Sequence, residues 1–172
     1  MTSSRPDLPV LVSRSTLKSD DRAEVDRWLD QPSVRKGLGM LPAELMPHVP
    51  LKAPEREWIF LNSSGERVAY ISASSCDAPE HDHGHHSDGR PRSALLLSTV
   101  VPEQLQGKRY GPAAKVSLFV SVETQAIDVF CFHIRDDHST SRTAAEKAGL
   151  DLVGPVGQLD ERTLYHRYLR TA

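Results

Sequence analysis

The run from Ser93 to Val122, SALLLSTVVPEQLQGKRYGPAAKVSLFVSV, constrains the fold more than any other part of the chain. Its apolar segment, Ala94 to Val101, ends at Pro102, and a basic loop, QGKRYG, spans Gln106 to Gly111. From Pro112 onward the apolar residues Ala113, Val116, Phe119 and Val120 recur at helical spacing. The order is strand, loop, helix. Gly107 and Gly111 let the backbone turn tightly and approach a ligand with no Cβ in the way. Pro112 suits the first helical position, where a missing N–H costs nothing. The other N–H groups of the loop and first turn lack partners inside the helix and lie at the positive end of its dipole, and Lys108 and Arg109 add full charges. Such a loop is shaped for a pyrophosphate.

The loop lacks the Gly-Lys-Ser/Thr ending of an ATP-binding loop and the three-glycine spacing of a dinucleotide fold. It resembles the acyl-CoA loop of the GNAT superfamily of N-acetyltransferases, Gln/Arg-x-x-Gly-x-Gly/Ala, with Gln106 first and Gly111 last. Arg109 stands where that family usually has its middle glycine, and one more residue than usual separates Pro102 from Gln106. A second stretch, DDHSTSRTAAEKAG at 136–149, resembles the Asp-x-Asn-x-x-Ser-Arg-x-x-x-Glu-Lys-x-Gly-Phe segment that follows the fifth strand of these enzymes. The likeness is greatest to the branch that acetylates ribosomal-protein N-terminal alanines. Ser141, Arg142, Glu146, Lys147 and Gly149 match, while His138 replaces the Asn and Leu150 the Phe.

The resemblance implies an α/β (α+β) fold: a mixed, mostly antiparallel sheet of six or seven strands, splayed between the fourth and fifth, with helices on both faces. It also implies direct transfer of an acetyl group from acetyl-CoA to a primary amine, of a protein N-terminus or of a small molecule. The cosubstrate would be held by Val100 and Val101 at the end of the fourth strand, by Gln106, Gly107, Lys108, Arg109, Tyr110 and Gly111 of the loop, and by His138 and Ser141. A backbone N–H at Val100 or Val101 would meet the oxyanion. Many GNAT enzymes protonate the departing thiolate with a tyrosine where this chain has Ala145, so the role passes to Ser141, with Tyr165 in reserve. His138 would donate a hydrogen bond to the pantetheine arm. For the base that neutralises the amine, Ser98, Glu103 and His133 are the candidates.

The rest of the chain accommodates this reading. Its 172 residues fit one domain over 1–172 with a sizeable core. A net charge of −2 provides no basic footprint for nucleic acid. Cys76 and Cys131 make no disulfide framework, and neither a leader nor an apolar run of membrane-spanning length is found, so a soluble, cytoplasmic protein is expected, with a homodimer compatible. Residues 1–9 read as a flexible start and Val10 to Val12 as an edge strand. Ser19 is read as the cap of an amphipathic helix carrying Val25, Trp28 and Leu29, with Trp28 a core anchor, and Pro32 ends it. The segment DQPSVRKGLGM resembles helices that wall the acceptor site in the N-terminal-acetylating branch.

Four prolines between Leu41 and Pro54 give an irregular connection that would lie across the acceptor cleft. Glu57 to Asn62 and Arg67 to Ala73 read as a hairpin, and Ala126 to Ile134 as a buried strand. A helix near 139–148 ends at Gly149, a turn follows at Gly154-Pro155, and Thr163 to Arg170 is the last strand, in which only one of Tyr165 and Tyr168 can see the cleft. Residues 74–92 form a flexible, histidine-rich loop. His81, His83, His85 and His86, near Cys76, Glu80 and Asp82, offer metal ligands, but their spacing matches no closed tetrahedral site, and a solvated loop with opportunistic metal affinity is expected. Two rival readings remain: a non-catalytic CoA-binding module, and a metal-binding protein built on this loop.

Overall fold

The computed structural model describes residues 7–40, 54–76, 83–156 and 163–170. Among these residues, seven strands form one sheet: β1 (Val12–Arg14), β2 (Arg56–Leu61), β3 (Arg67–Ser75), β4 (Ala94–Val100), β5 (Val129–Arg135), β6 (Asp151–Pro155) and β7 (Thr163–Leu169). Four α-helices accompany them among the described residues: α1 (Ser19–Leu29), α2 (Pro32–Gly37), α3 (Tyr110–Phe119) and α4 (Ser139–Lys147). The strand order is β1-β2-β3-β4-β5-β7-β6, and every pairing is antiparallel except β4 with β5. The expected mixed, mostly antiparallel sheet is therefore present.

Strand alternation sorts the apolar side chains onto two faces. One face carries Leu95, Leu97, Phe130, Phe132 and Ile134 and packs on Ala113, Ala114, Leu118 and Phe119 of α3 and Ala145 of α4. Phe119 is the pivot there, with Phe130 at 4.8 Å and the stacked ring of Tyr168 at 4.3 Å between centroids, contacts that add about 0.5–1.5 kcal/mol each beyond area burial. The opposite face receives α1 and α2 through Val25, Trp28, Leu29 and Val34, packed on Ile59, Tyr70 and Val100. Helices thus cover both faces, and Trp28 is a buried core anchor.

Several element limits differ from the sequence expectation. The edge strand is Val12–Arg14 rather than Val10 to Val12, because its register sets Val12 opposite Leu61 and Arg14 opposite Ile59. Ser19 is the first residue of α1, not its cap. The start of that helix is capped from within, the buried Asp21 carboxylate accepting from the Lys18 backbone N–H at 2.8 Å. Burial opposes the charge on Asp21, but bonds from Lys18, Arg67 and Arg14 outweigh it and hold the carboxyl below the usual range. The two arginines, at 2.6 and 2.5 Å, tie β3 and β1 to α1. Pro32 both ends α1 and opens α2. Gly154 and Pro155 lie in β6, with a register shift between Leu152 and Gly154, and are not a turn. The proline-rich connection at 41–53 lies outside the described residues, as do His81, Glu80 and Asp82. Within the expected flexible loop, Ser74 and Ser75 end β3, and His83 to Arg92 form a turn held by Arg92 N–H to Gly84 O, His86 N–H to Arg90 O and a bridge between His85 and Pro91.

Candidate active site

The site begins where the sheet stops being continuous. β4 and β5 are in register only at Ala94–Val129, Leu95–Phe130 and Leu96–Cys131. Beyond that point β4 stays with β3 as far as Val100, and β5 stays with β7 as far as Arg135, so the two inner edges part. Backbone groups that face the gap have lost their ladder partners, an arrangement proteins tolerate where something else can bond them. Thr99 Oγ1 is buried with no hydrogen-bond partner among the described residues. On the face that carries α1 and α2, Ser98 and His133 are exposed, each two residues past the last paired position of its strand.

The basic loop leaves the end of β4 through a short 3-10 turn at Glu103–Leu105. Gly107 has φ +79° and Arg109 φ +66°, so the residue in place of the family's middle glycine adopts the left-handed conformation that glycine would take. Helix α3 then starts at Tyr110, two residues before Pro112. Pro112 therefore sits in the first turn rather than at its head, still where no intrahelical donor is needed. Lys108 and Arg109 are exposed beside this turn, and Arg109 also donates to the Asp7 carbonyl at 3.3 Å. The Gln106 amide reaches back to the Val101 carbonyl at 3.2 Å and to Ser33 Oγ at 3.1 Å, bracing the strand end against α2.

Helix α2 spans the opening. At its start, Glu103 accepts from the Ser33 N–H at 2.8 Å and Gln31 accepts from the Glu103 N–H at 2.8 Å, on the β4 side. At its end, Gly37 lies so close to His138 that a Cβ there would stand 2.9 Å from the imidazole Cε1, on the β5 side. Only glycine allows that approach. Glu103 is thus part of the scaffold. The Ser33 backbone N–H and then its hydroxyl hold the carboxyl below the usual range, which makes it a weak proton acceptor.

His138 flanks the start of α4, and its Nδ1 lies 2.8 Å from Ser141 Oγ. Burial, helped by Arg135 and Lys36, lowers the imidazole pKa against a smaller opposing effect of Asp137, so the ring is neutral at pH 7. A neutral ring with its hydrogen on Nδ1 would donate to Ser141 and leave the hydroxyl hydrogen available to a third group. The sequence motif brought these two residues together without indicating that they bond. Tyr168 is turned into the core against Phe119. The backbone of Tyr165 pairs with His133, which places it one strand from the opening.

Lys115 was not singled out by the sequence. It is buried on α3, its ammonium 5.0 Å from the centre of the Phe132 ring, and burial lowers its pKa to about 8. The signal was available, since Lys115 is the one charged residue from Ala113 to Phe119. Away from all of these groups, an open cleft lined by Ser15, Glu55, Glu57, Trp58 and Glu123 lies at the β1–β2 side of the sheet and holds none of the expected site residues.

No protein-family model matches the chain, and no curated protein is recognisably similar in sequence. Solved structures are similar in fold. The aminoglycoside acetyltransferase AAC(6')-Ib, in complex with paromomycin and acetyl-CoA, superposes with a TM-score of 0.69 at 16% identity over 94% of both chains. A GNAT-family acetyltransferase from Bacillus anthracis gives a TM-score of 0.64 at 14% identity, covering 95% of this chain and 96% of that one. The chain has the GNAT acetyltransferase fold. Spermidine N-acetyltransferase from Vibrio cholerae, solved with CoA and spermine, is similar as well, with a TM-score of 0.63 at 13% identity over 92% of this chain and 95% of its own. Within this GNAT frame, the splay expected between the fourth and fifth strands is the parting after Leu96 and Cys131.

Proposed function

We propose that the chain is an acetyl-CoA-dependent N-acetyltransferase that moves an acetyl group directly to a primary amine. One observation carries the reading: the parting of β4 from β5 coincides with a basic, left-handed loop that leads into the N-terminus of α3. The loop N–H groups with Lys108 and Arg109 would take the pyrophosphate, and Gly111 leaves its approach open. The orphaned Thr99 hydroxyl and the unpaired edges of β4 and β5 suit an amide-bearing arm laid between the strands.

In the reaction the amine nitrogen bonds to the thioester carbonyl carbon, the carbon–sulfur bond breaks, the amine gives up a proton and the thiolate takes one. An alkyl amine of pKa ~10.4 is neutral in only about one molecule in a few thousand at pH 7, so a proton acceptor is needed. We assign this role to His133, exposed in the opening, acting directly or through a water held with Ser98. A backbone N–H at Val100 or Val101 would stabilise the oxyanion, the Val101 peptide being braced by Gln106. Ser141 would protonate the thiolate and be re-supplied by His138 Nδ1–H while Nε2 of the same ring takes up a proton from solvent, so that the imidazole stays neutral, with Tyr165 as the alternative donor.

The solved relatives named above are described with aminoglycosides and a polyamine, which favours a small polycationic amine. The motif at 136–149 points instead to a protein N-terminal amine, as in the ribosomal-protein branch. A single-domain, cytoplasmic enzyme belongs to the same reading. Thiol release from acetyl-CoA, measured across aminoglycosides, polyamines and peptides with free N-termini, tests it. Release with one acceptor class, and a product about 42 Da heavier as amide formation requires, is the expected result. CoA binding with no release on any acceptor would replace this reading with a non-catalytic CoA-binding module.

A further inference from the structure

On the sheet face opposite α3 and α4, beside the area covered by α1 and α2, a small separate cluster is built from Cys76, Val129, Cys131 and Val156. Its roof is the turn that begins at His83. Cys76 immediately follows β3, its backbone N–H bonded to the Ala94 carbonyl at 3.1 Å, and Cys131 lies in the middle of β5. The sheet brings these two thiols together from positions 55 residues apart in sequence, 131 less 76, with β4 between their strands. Both are buried, and His83 is half-buried over them. One donor atom from each of Cys76, His83 and Cys131 lies within 4.8 Å of the others.

The histidine is already oriented. Its Nε2 lies 3.2 Å from the Cys76 carbonyl oxygen, and its Nδ1 lies 3.9 Å from Cys131 Sγ. A carbonyl oxygen can only accept, so Nε2 carries the hydrogen and the Nδ1 lone pair is directed at the thiol. Metal-bound imidazoles are held in this way, with the second ring N–H given to a backbone carbonyl that fixes tautomer and ring plane. A tetrahedral zinc ion with Zn–S of about 2.3 Å and Zn–N of about 2.0–2.1 Å keeps its donors roughly 3.5–3.8 Å apart. The His83–Cys131 pair is near that spacing as it stands, and the widest pair needs to close by about 1 Å, within reach of side-chain rotation.

We propose that Cys76, His83 and Cys131 supply three ligands of a zinc ion, two thiolates and one imidazole. Two thiolates balance the divalent charge in an apolar pocket where an unpaired ion of either sign would be costly, so binding releases both thiol protons to solvent. Of the histidines in the described part of the turn, His83 is the ligand. His86 is bonded to Asp128 at 3.0 Å, and His85 is exposed. Cys131 pairs with Leu96, the last rung before β4 and β5 part, so the ion would clamp the vertex of the opening on the face that also carries Ser98 and His133.

Metal analysis of the full chain, followed by cobalt titration of the chelator-stripped protein, tests the site. One equivalent of zinc is expected, and one equivalent of cobalt with the intense visible bands of a tetrahedral ion and the near-ultraviolet charge transfer of cobalt–thiolate bonds. His83→Gln, at a half-buried position that keeps the fold, should weaken zinc binding by at least about tenfold, since even outer-shell losses reach that size. Cys131→Ser should remove most of the charge-transfer band, and His86→Gln should bind zinc as the parent does. Weak or multiple binding unaffected by His83→Gln, or fresh protein in which neither thiol reacts because they are joined as a disulfide, would overturn the proposal. All of these readouts are independent of acetyl transfer.

Discussion

Replacing Arg109 with glycine sets two opposed effects against each other. Arg109 holds φ +66°, a conformation that costs an ordinary L-residue about 1–2 kcal/mol and glycine almost nothing. Glycine is also freer in the unfolded chain, which returns about 0.5–1 kcal/mol of that gain. The net expectation is a stabilisation of about 0–1.5 kcal/mol, hence a Tm that rises by up to ~6 °C for a chain of this length. The exposed guanidinium offers little in return beyond its 3.3 Å bond to the Asp7 carbonyl. Ligand binding moves the other way. A cation about 5 Å from a phosphate, at an effective dielectric between roughly 30 and 60, contributes about 1–2 kcal/mol. Arg109→Gly should therefore bind CoA roughly five- to thirtyfold more weakly at low salt, and the difference should shrink in 0.5 M salt as screening grows. Isothermal titration calorimetry at two salt concentrations and a thermal melt suffice, with Arg109→Asn as a comparator that tolerates the same φ without the charge. A variant that binds CoA as tightly as the parent, or that melts markedly lower, would refute the assignment of Arg109 as a phosphate ligand held in a strained conformation.

Gly111→Ala should leave the melting temperature within about 1 °C, because the new Cβ would stand at an ordinary 3.7 Å from Val101 Cγ2, yet it should weaken CoA binding measured by calorimetry. Ser141→Ala should lower kcat by about 10²–10⁴, the general-acid range, and by more than it weakens CoA binding, and equal turnover would move that role to Tyr165. Lys115→Met should raise stability at pH 7 by roughly 1–3 kcal/mol by removing a buried ammonium. Because the folded pKa is lowered to about 8 from 10.5, the unfolded lysine binds the extra proton between those values, so the gain should narrow as pH rises above about 8 in denaturant titrations. His138 and His166 both have pKa values lowered by burial, so the unfolded state takes up more protons just below their ordinary 6.5. Stability should accordingly be full above that pH and fall as the solution is acidified through it, and a thermal melting series from pH 7.5 to 5.5 with no such decline would count against neutral, buried rings.

What the sequence made legible was local. The β-rich run of Arg67 to Ala73, the apolar run at Ala94 and the helical spacing after Gly111 each report an element within a few residues, and each lies where it was expected. The two motifs placed the parted strands and the loop because their spacing encodes a whole strand–loop–helix unit. Features set by the partner of a side chain, or by pairing with another element, were not visible. Glu103 reads as a surface acid until α2, some 70 residues earlier, supplies the Ser33 N–H that occupies it. The bond between His138 and Ser141 depends on a helix start one residue from the imidazole. Gly154-Pro155 carries the local marks of a turn, and only pairing with β7 makes it a strand. The histidine-rich segment could not disclose which ring faces a thiol on β5, because Cys131 lies 48 residues beyond His83.

The three parallel rungs between β4 and β5 also divide the molecule. On one side stands an antiparallel meander of four strands, on the other an antiparallel group of three, and each is stitched by neighbours that meet early in a folding chain. The rungs at Ala94, Leu95 and Leu96 are, among the described residues, the whole ladder between the two groups. Because Leu95 and Leu97 of one group share a single core with Phe130 and Phe132 of the other, the rungs and the helices behind them hold the gap shut at one end and leave it open at the other, like a wedge.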